Sequence, residues 1–117
     1  MPLRCLIVDD NVSFGKAAGA LLAREGLEVV GVAENATAAV RETQALRPDV
    51  VLVDIVLGGE SGFDVARELI AAGEDPTIIF ISTHSEADFA ELIADAAAAG
   101  FISKSELSAE AILRLAA

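Results

Sequence analysis

Leu6-Ile7-Val8-Asp9-Asp10 and Val50-Val51-Leu52-Val53-Asp54 share one design: an apolar, β-branched run that stops on carboxylate. Short runs of this composition fit strands buried on both faces of a sheet. A carboxylate at the end of such a strand is costly unless a cation or a reaction uses it. The strands predicted from composition are Leu3–Val8, Glu28–Val32, Val50–Val53, Thr77–Ile81 and Gly100–Ser103. Ser82 and Lys104 follow the last two.

Stretches of helical period separate the strands. Phe14, Ala17, Ala18, Leu21 and Leu22 recur at three- and four-residue steps in the first. The second spans about Ala36–Leu46 and stops before Arg47-Pro48, where proline disfavours further helix. The third spans about Phe63–Ala72, with Gly73 as its stop. The fourth is expected over Glu86–Ala99, closed by Gly100, and the fifth begins near Ser108, an N-cap with Glu110 in its first turn. Five βα units in succession predict an α/β doubly wound sandwich with a five-stranded parallel sheet. The flavodoxin-like order 2-1-3-4-5 puts a site at the carboxyl ends of the strands. No linker or repeat interrupts the chain, so residues 1–117 are expected to form one domain.

The 117 residues are 54% hydrophobic, enough for a full core, and carry a formal charge of −11. That charge repels phosphate backbones, so nucleic-acid binding is not expected. No apolar stretch has the length of a membrane span, and a soluble, cytoplasmic protein is expected. The single cysteine, Cys5, lies in the first apolar run and reads as a buried hydrophobe. Gly15 and Gly19 interrupt the first helical stretch at a cost of about 1 kcal/mol each. Close packing and partner docking both fit them.

In the order 2-1-3-4-5, strands 1, 3, 4 and 5 are contiguous. Asp9, Asp10, Asp54, Ser82 and Lys104 then converge on one rim. Three clustered carboxylates raise one another's pKa, and a hard divalent cation relieves the conflict. Mg²⁺ suits such an oxygen site and completes its shell with water or phosphate oxygens. A carboxylate nucleophile beside a lysine and a hydroxyl suits phosphoryl transfer, which needs positioning and charge neutralisation.

With these residues at these intervals, the chain resembles the receiver domain of bacterial two-component response regulators over essentially its whole length. The resemblance implies a CheY-like phosphoacceptor domain. Asp54 would accept phosphate from a histidine kinase or a histidine phosphotransfer protein. Asp10, Asp54 and the backbone carbonyl of Val56 would ligate Mg²⁺, with Asp9 acting through water. Ser82 and Lys104 would contact the phosphoryl oxygens, and Phe101 would be the aromatic switch. The readout face would be the fourth helix, fifth strand and fifth helix, directed to an output domain or a downstream protein. Homodimer formation stays open. Such a domain catalyses its own modification and is not a turnover enzyme.

Several positions depart from the common pattern. Ser105 replaces a frequent cis proline, which predicts a trans bond and an altered loop. Gly58-Gly59 stands where proline is common, which predicts a more mobile loop. Phe101 lacks a tyrosine hydroxyl. Val56 cannot orient a hydrolytic water, whereas His84 can, and the two would tune dephosphorylation. Asp88, Glu91 and Asp95 mark a solvated face or a partner surface on the fourth helix. The main alternative is a pseudo-receiver that binds proteins without being phosphorylated. A phosphohydrolase is disfavoured by Val56, because such enzymes carry a second carboxylate there. A transcription factor would need a recognition helix that these residues lack.

Overall fold

The computed structural model describes residues 2–116. Strands are β1 (Arg4–Val8), β2 (Glu28–Ala33), β3 (Val50–Asp54), β4 (Thr77–Ser82) and β5 (Gly100–Ser103). All neighbours pair in parallel, in the order β2-β1-β3-β4-β5. The flavodoxin-like expectation therefore holds. Asp54 and Ser82 are the last ladder residues of their strands, one position further than the sequence indicates.

Helices are α1 (Val12–Arg24), α2 (Ala36–Leu46), α3 (Gly62–Ala71), α4 (Ala90–Asp95) and α5 (Ala109–Ala116). The parallel strands alternate their side chains between two cores. One core joins Leu6, Val8, Val51, Val53 and Phe80 to α2 and α3. The other joins Cys5, Ile7, Leu52, Ile79 and Ile81 to α1 and α5. Val50–Val53 are fully buried, and burying an aliphatic side chain of this size contributes about 1.5–3 kcal/mol. Cys5 is free and buried, and burial followed by the charge of Asp49 pushes its thiol up to about 11, so it stays protonated and inert.

Helix ends follow local chemistry. Asn11 and Asn35 accept from the amides of Phe14 and Ala38, at 3.0 and 2.8 Å. Ser61 and Asp64 form a reciprocal capping box on α3. Ser108 Oγ accepts from Ala111 N, as its position predicts. Gly26 (φ 96°) and Gly73 (φ 82°) take left-handed conformations just after α1 and α3. Gly15 is buried, and a Cβ there would meet Val32 Cγ1 at 3.0 Å, so close packing against β2 accounts for it.

The fourth helix is much shorter than expected. Glu86–Phe89 form a 3₁₀ turn, α4 covers Ala90–Asp95, and Ala96 is extended (φ −84°, ψ 146°). Gly100 starts β5 rather than stopping a helix. Alanine favours helix locally, but protein helices depend mainly on packing an amphipathic face. Neither the 3₁₀ turn nor α4 contains a fully buried residue. The Lys104–Ser105 bond is trans, as expected, and Lys104–Glu106 form a 3₁₀ turn. Among the described residues, no helix is long and apolar enough to cross a membrane.

Candidate functional site

The four strand ends bring Asp9, Asp54, Ser82 and Lys104 to one rim, and Asp10 joins them from the start of the following loop. Carboxylate oxygens of Asp9, Asp10 and Asp54 all lie within 4.8 Å of one another. Asp9 is fully buried and Asp54 is 6% exposed, whereas Asp10 is exposed. Asp10 is free to face the site because Asn11, not Asp10, caps α1.

Lys104 holds this cluster together. Its Nζ donates to Asp54 Oδ2 at 2.9 Å and lies 2.7 Å from Asp9 Oδ2. The second contact is a short ion pair between the ammonium and the buried Asp9 Oδ2. The ammonium also sits 4.2 Å from the centre of the Phe14 ring, a cation–π arrangement. Burial acts to lower the Lys104 pKa, but hydrogen bonding and charge from Asp9 and Asp54 outweigh it and raise it above the ordinary lysine value. Burial raises the Asp54 pKa, and the bonds from Lys104 and from Val56 N offset only part of that.

The remaining hydrogen bonds fix the carboxylates. Asp9 Oδ1 accepts from Asn11 N at 2.8 Å, and Asp54 Oδ1 accepts from Val56 N at 3.0 Å. Asp10 Oδ2 accepts from Gly58 N at 2.8 Å. Beyond the Lys104 ammonium the buried Asp9 Oδ2 has no partner, and with two more carboxylates beside it the donor set suits a hard divalent cation. Mg²⁺ would therefore be held by Asp9, Asp10 and Asp54.

Ser82 is buried, and its Oγ accepts from His84 N at 3.0 Å with His84 Nδ1 at 3.4 Å. The exposed His84 ring meets Phe89 edge-on, with centroids 5.9 Å apart. Phe101 lies opposite Phe80 in the β4–β5 register, half-buried against the core face that α2 and α3 cover. The Val56 side chain is 50% exposed. Asp88, Glu91 and Asp95 are all exposed.

Several contributors escape a reading of the sequence. Val56–Leu57 and Glu60–Ser61 pair as a small antiparallel hairpin turned by Gly58-Gly59. A Cβ on Gly62 would fall 2.3 Å from the Asp54 carbonyl oxygen, so only glycine allows α3 to begin there. The Glu60 carboxylate accepts from the amide of Ala36, the first residue of α2. Of these features the hairpin leaves its Gly58-Gly59 turn as a sequence signal and the α3 start leaves the Ser61-x-x-Asp64 spacing.

Comparison with known proteins agrees with this geometry. Residues 5–116 match the family described as response regulator receiver domain. The chain is 31% identical over 111 residues to the response regulator GacA of Pseudomonas viridiflava, covering 94% of this chain and 52% of that protein. It is 36% identical over 106 residues to a protein-glutamate methylesterase/protein-glutamine glutaminase of Vibrio parahaemolyticus, covering 89% of this chain and 29% of that one. The chain thus spans about half, or less, of the length of these relatives. The receiver domain of the putative response regulator NarL from Mycobacterium tuberculosis superimposes with a TM-score of 0.85, at 28% identity over 98% of this chain and 96% of that one. The chain belongs to the family of response regulator receiver domains, the receiver modules of two-component signalling.

Proposed function

We propose that residues 1–117 act as one phosphoacceptor domain, taking a phosphoryl group from the phosphohistidine of a histidine kinase or histidine phosphotransfer protein. An Asp54 carboxylate oxygen attacks phosphorus in line. The O–P bond forms as the N–P bond breaks, and the imidazole leaves with the bonding pair. Asp10, Asp54 and the Val56 carbonyl would hold Mg²⁺ directly and Asp9 through water, and the bound ion would supply charge neutralisation for the phosphoryl oxygens. Lys104, freed from Asp54, and the Ser82 hydroxyl, freed from His84 N–H, bind the transferred group. His84 and Val56 flank the site and tune loss of the phosphate. The observation that carries this reading is one ammonium held between two buried carboxylates, with a third carboxylate alongside.

The switching face is α4, β5 and α5, because these elements follow Ser82 and carry or adjoin Phe101 and Lys104. Preferential contact of the phosphoryl group with Ser82 and Lys104 shifts an existing equilibrium between conformers. The face would engage an output domain, a downstream protein or a second copy, and the reading places the protein in the cytoplasm. The domain modifies itself and has no turnover activity of its own. Incubation with a small acyl phosphate and Mg²⁺, followed by intact mass, tests the chemistry. One added phosphoryl group is expected, absent with EDTA and absent in Asp54→Asn. No gain, or a gain that survives Asp54→Asn, would favour a pseudo-receiver.

A further inference from the structure

Asp10 is the exposed member of the acidic rim, and an exposed aspartate is ordinarily free to change rotamer. Here its Oδ2 is held by the Gly58 amide at 2.8 Å. A Cβ on Gly58 would sit 2.9 Å from that same oxygen, so a larger residue there pushes the carboxylate from its present seat on the amide. Gly58 lies at the tip of the hairpin that pairs Val56 with Ser61 and Leu57 with Glu60. A ladder this short has little stability of its own. It is fastened elsewhere: Leu57 is buried, and the Glu60 carboxylate accepts from Ala36 N at the start of α2. A helix N-terminus favours that negative charge.

We infer that Glu60 is a positioning residue for Asp10, an assignment that rests on the metal-dependent reading of the rim. Glu60 clamps the hairpin to α2, the hairpin presents the Gly58 amide, and the amide orients the carboxylate that meets the cation. Glu60 itself need not touch the ion. A group that hydrogen-bonds a metal ligand directly, as the Gly58 amide does, typically changes metal affinity by about 10–100-fold when removed, and Glu60, one contact further out, acts at the low end.

Calorimetric titration of Mg²⁺ into wild type, Glu60→Gln and Glu60→Ala separates this role from bulk charge. Both variants lose one negative charge, but only alanine loses the acceptor for Ala36 N. Glu60→Ala is expected to bind Mg²⁺ about 10-fold more weakly than Glu60→Gln. A merely structural role would lower the EDTA melting temperature of Glu60→Ala and leave the two affinities equal, which would overturn the inference. Wild type that fails to bind Mg²⁺ would instead overturn the metal reading itself. Should Glu60→Ala not fold, Gly58→Ala gives the same test with the clamp intact. Its Cβ displaces Asp10 from the amide, weaker binding is expected, and unchanged affinity refutes the assignment.

Discussion

Replacing Lys104 with methionine keeps most of the apolar stem, shortens the side chain by one atom and removes the ammonium with its charge and its hydrogen bond to Asp54. Its ammonium lies 2.7 Å from Asp9 and 2.9 Å from Asp54, with 12% of the side chain exposed. At an effective dielectric near 20, each contact is worth about 6 kcal/mol of gross Coulomb attraction. Most of that only offsets the cost of desolvating three charges. Removing one partner of a buried pair costs about 3–5 kcal/mol net, because the charge left behind has no compensation. The lower end applies here, since Asp54 can escape by taking up a proton. A loss of about 3 kcal/mol lowers the melting temperature of a domain this size by roughly 12 °C. The assay is thermal unfolding by circular dichroism in EDTA and again in saturating Mg²⁺. Lys104→Met should melt far below wild type in EDTA. It should gain more from Mg²⁺ than wild type does, because the added cation then has no ammonium to compete with. The deficit should shrink as pH falls, because Asp54, whose pKa burial already raises, takes up a proton. A variant that melts within a few degrees of wild type in EDTA, or gains less from Mg²⁺, would refute the idea that this ammonium neutralises the rim.

Asp54→Asn should stabilise the metal-free protein at neutral pH while abolishing phosphorylation. The Asp54 pKa is raised, so its charged form is the disfavoured one in the fold; wild type should recover this loss as pH falls from the raised value toward 3.8, and the variant should not. Lys104 has the opposite linkage: its contribution is intact below 10.5 and disappears as pH rises through its elevated pKa, an alkaline limb that Lys104→Met should lack in pH-dependent melts. Gly62→Ala forces a Cβ to 2.3 Å from the Asp54 carbonyl oxygen and should cost at least about 1–3 kcal/mol in urea unfolding; an unchanged midpoint would show that the close approach is dispensable. Glu25 Oε1 accepts from Ala109 N at 2.7 Å, so Glu25→Ala should cost about 1 kcal/mol and speed amide exchange in the first turn of α5.

The fold was legible because its signals are local. Buried parallel strands read as unbroken β-branched runs, and the helices between them keep their period. The site was legible for a related reason: parallel strands align their carboxyl ends, so a polar residue closing each run lands on one rim. Asp9, Asp54, Ser82 and Lys104 needed no further information. What escaped depends on where distant atoms come to rest. Glu60 meets Ala36 across 24 residues, and Glu25 meets Ala109 across 84. Phe14 reads as one more apolar residue of a helix, yet its ring lies beneath the Lys104 ammonium. Gly58-Gly59 suggests a loose loop, whereas its first amide is bound by Asp10. The length of α4 escaped because alanine content reports helix propensity, and nothing in that content says the segment packs its side chains only partly.

The rim is held by elements of unequal strength, and that asymmetry decides where a change at the site can travel. Asp9 and Asp54 are carried by β1 and β3, whose apolar side chains from Cys5 to Val8 and Val50 to Val53 are fully buried. Ser82 is different, because its hydroxyl is committed to the backbone of His84, and the His84 ring rests on Phe89 at the entrance to α4. A hydrogen bond of this kind is worth about 1 kcal/mol net. Against the two strands that is a small perturbation. Against a six-residue helix with no fully buried side chain it is comparable to what holds the element in place. Under the proposed chemistry, a phosphoryl group on Asp54 that drew the Ser82 hydroxyl would make the segment from His84 through α4 the one that yields. Phe101 packs on the same core face as Phe89 and Ile93, so it would repack with that segment.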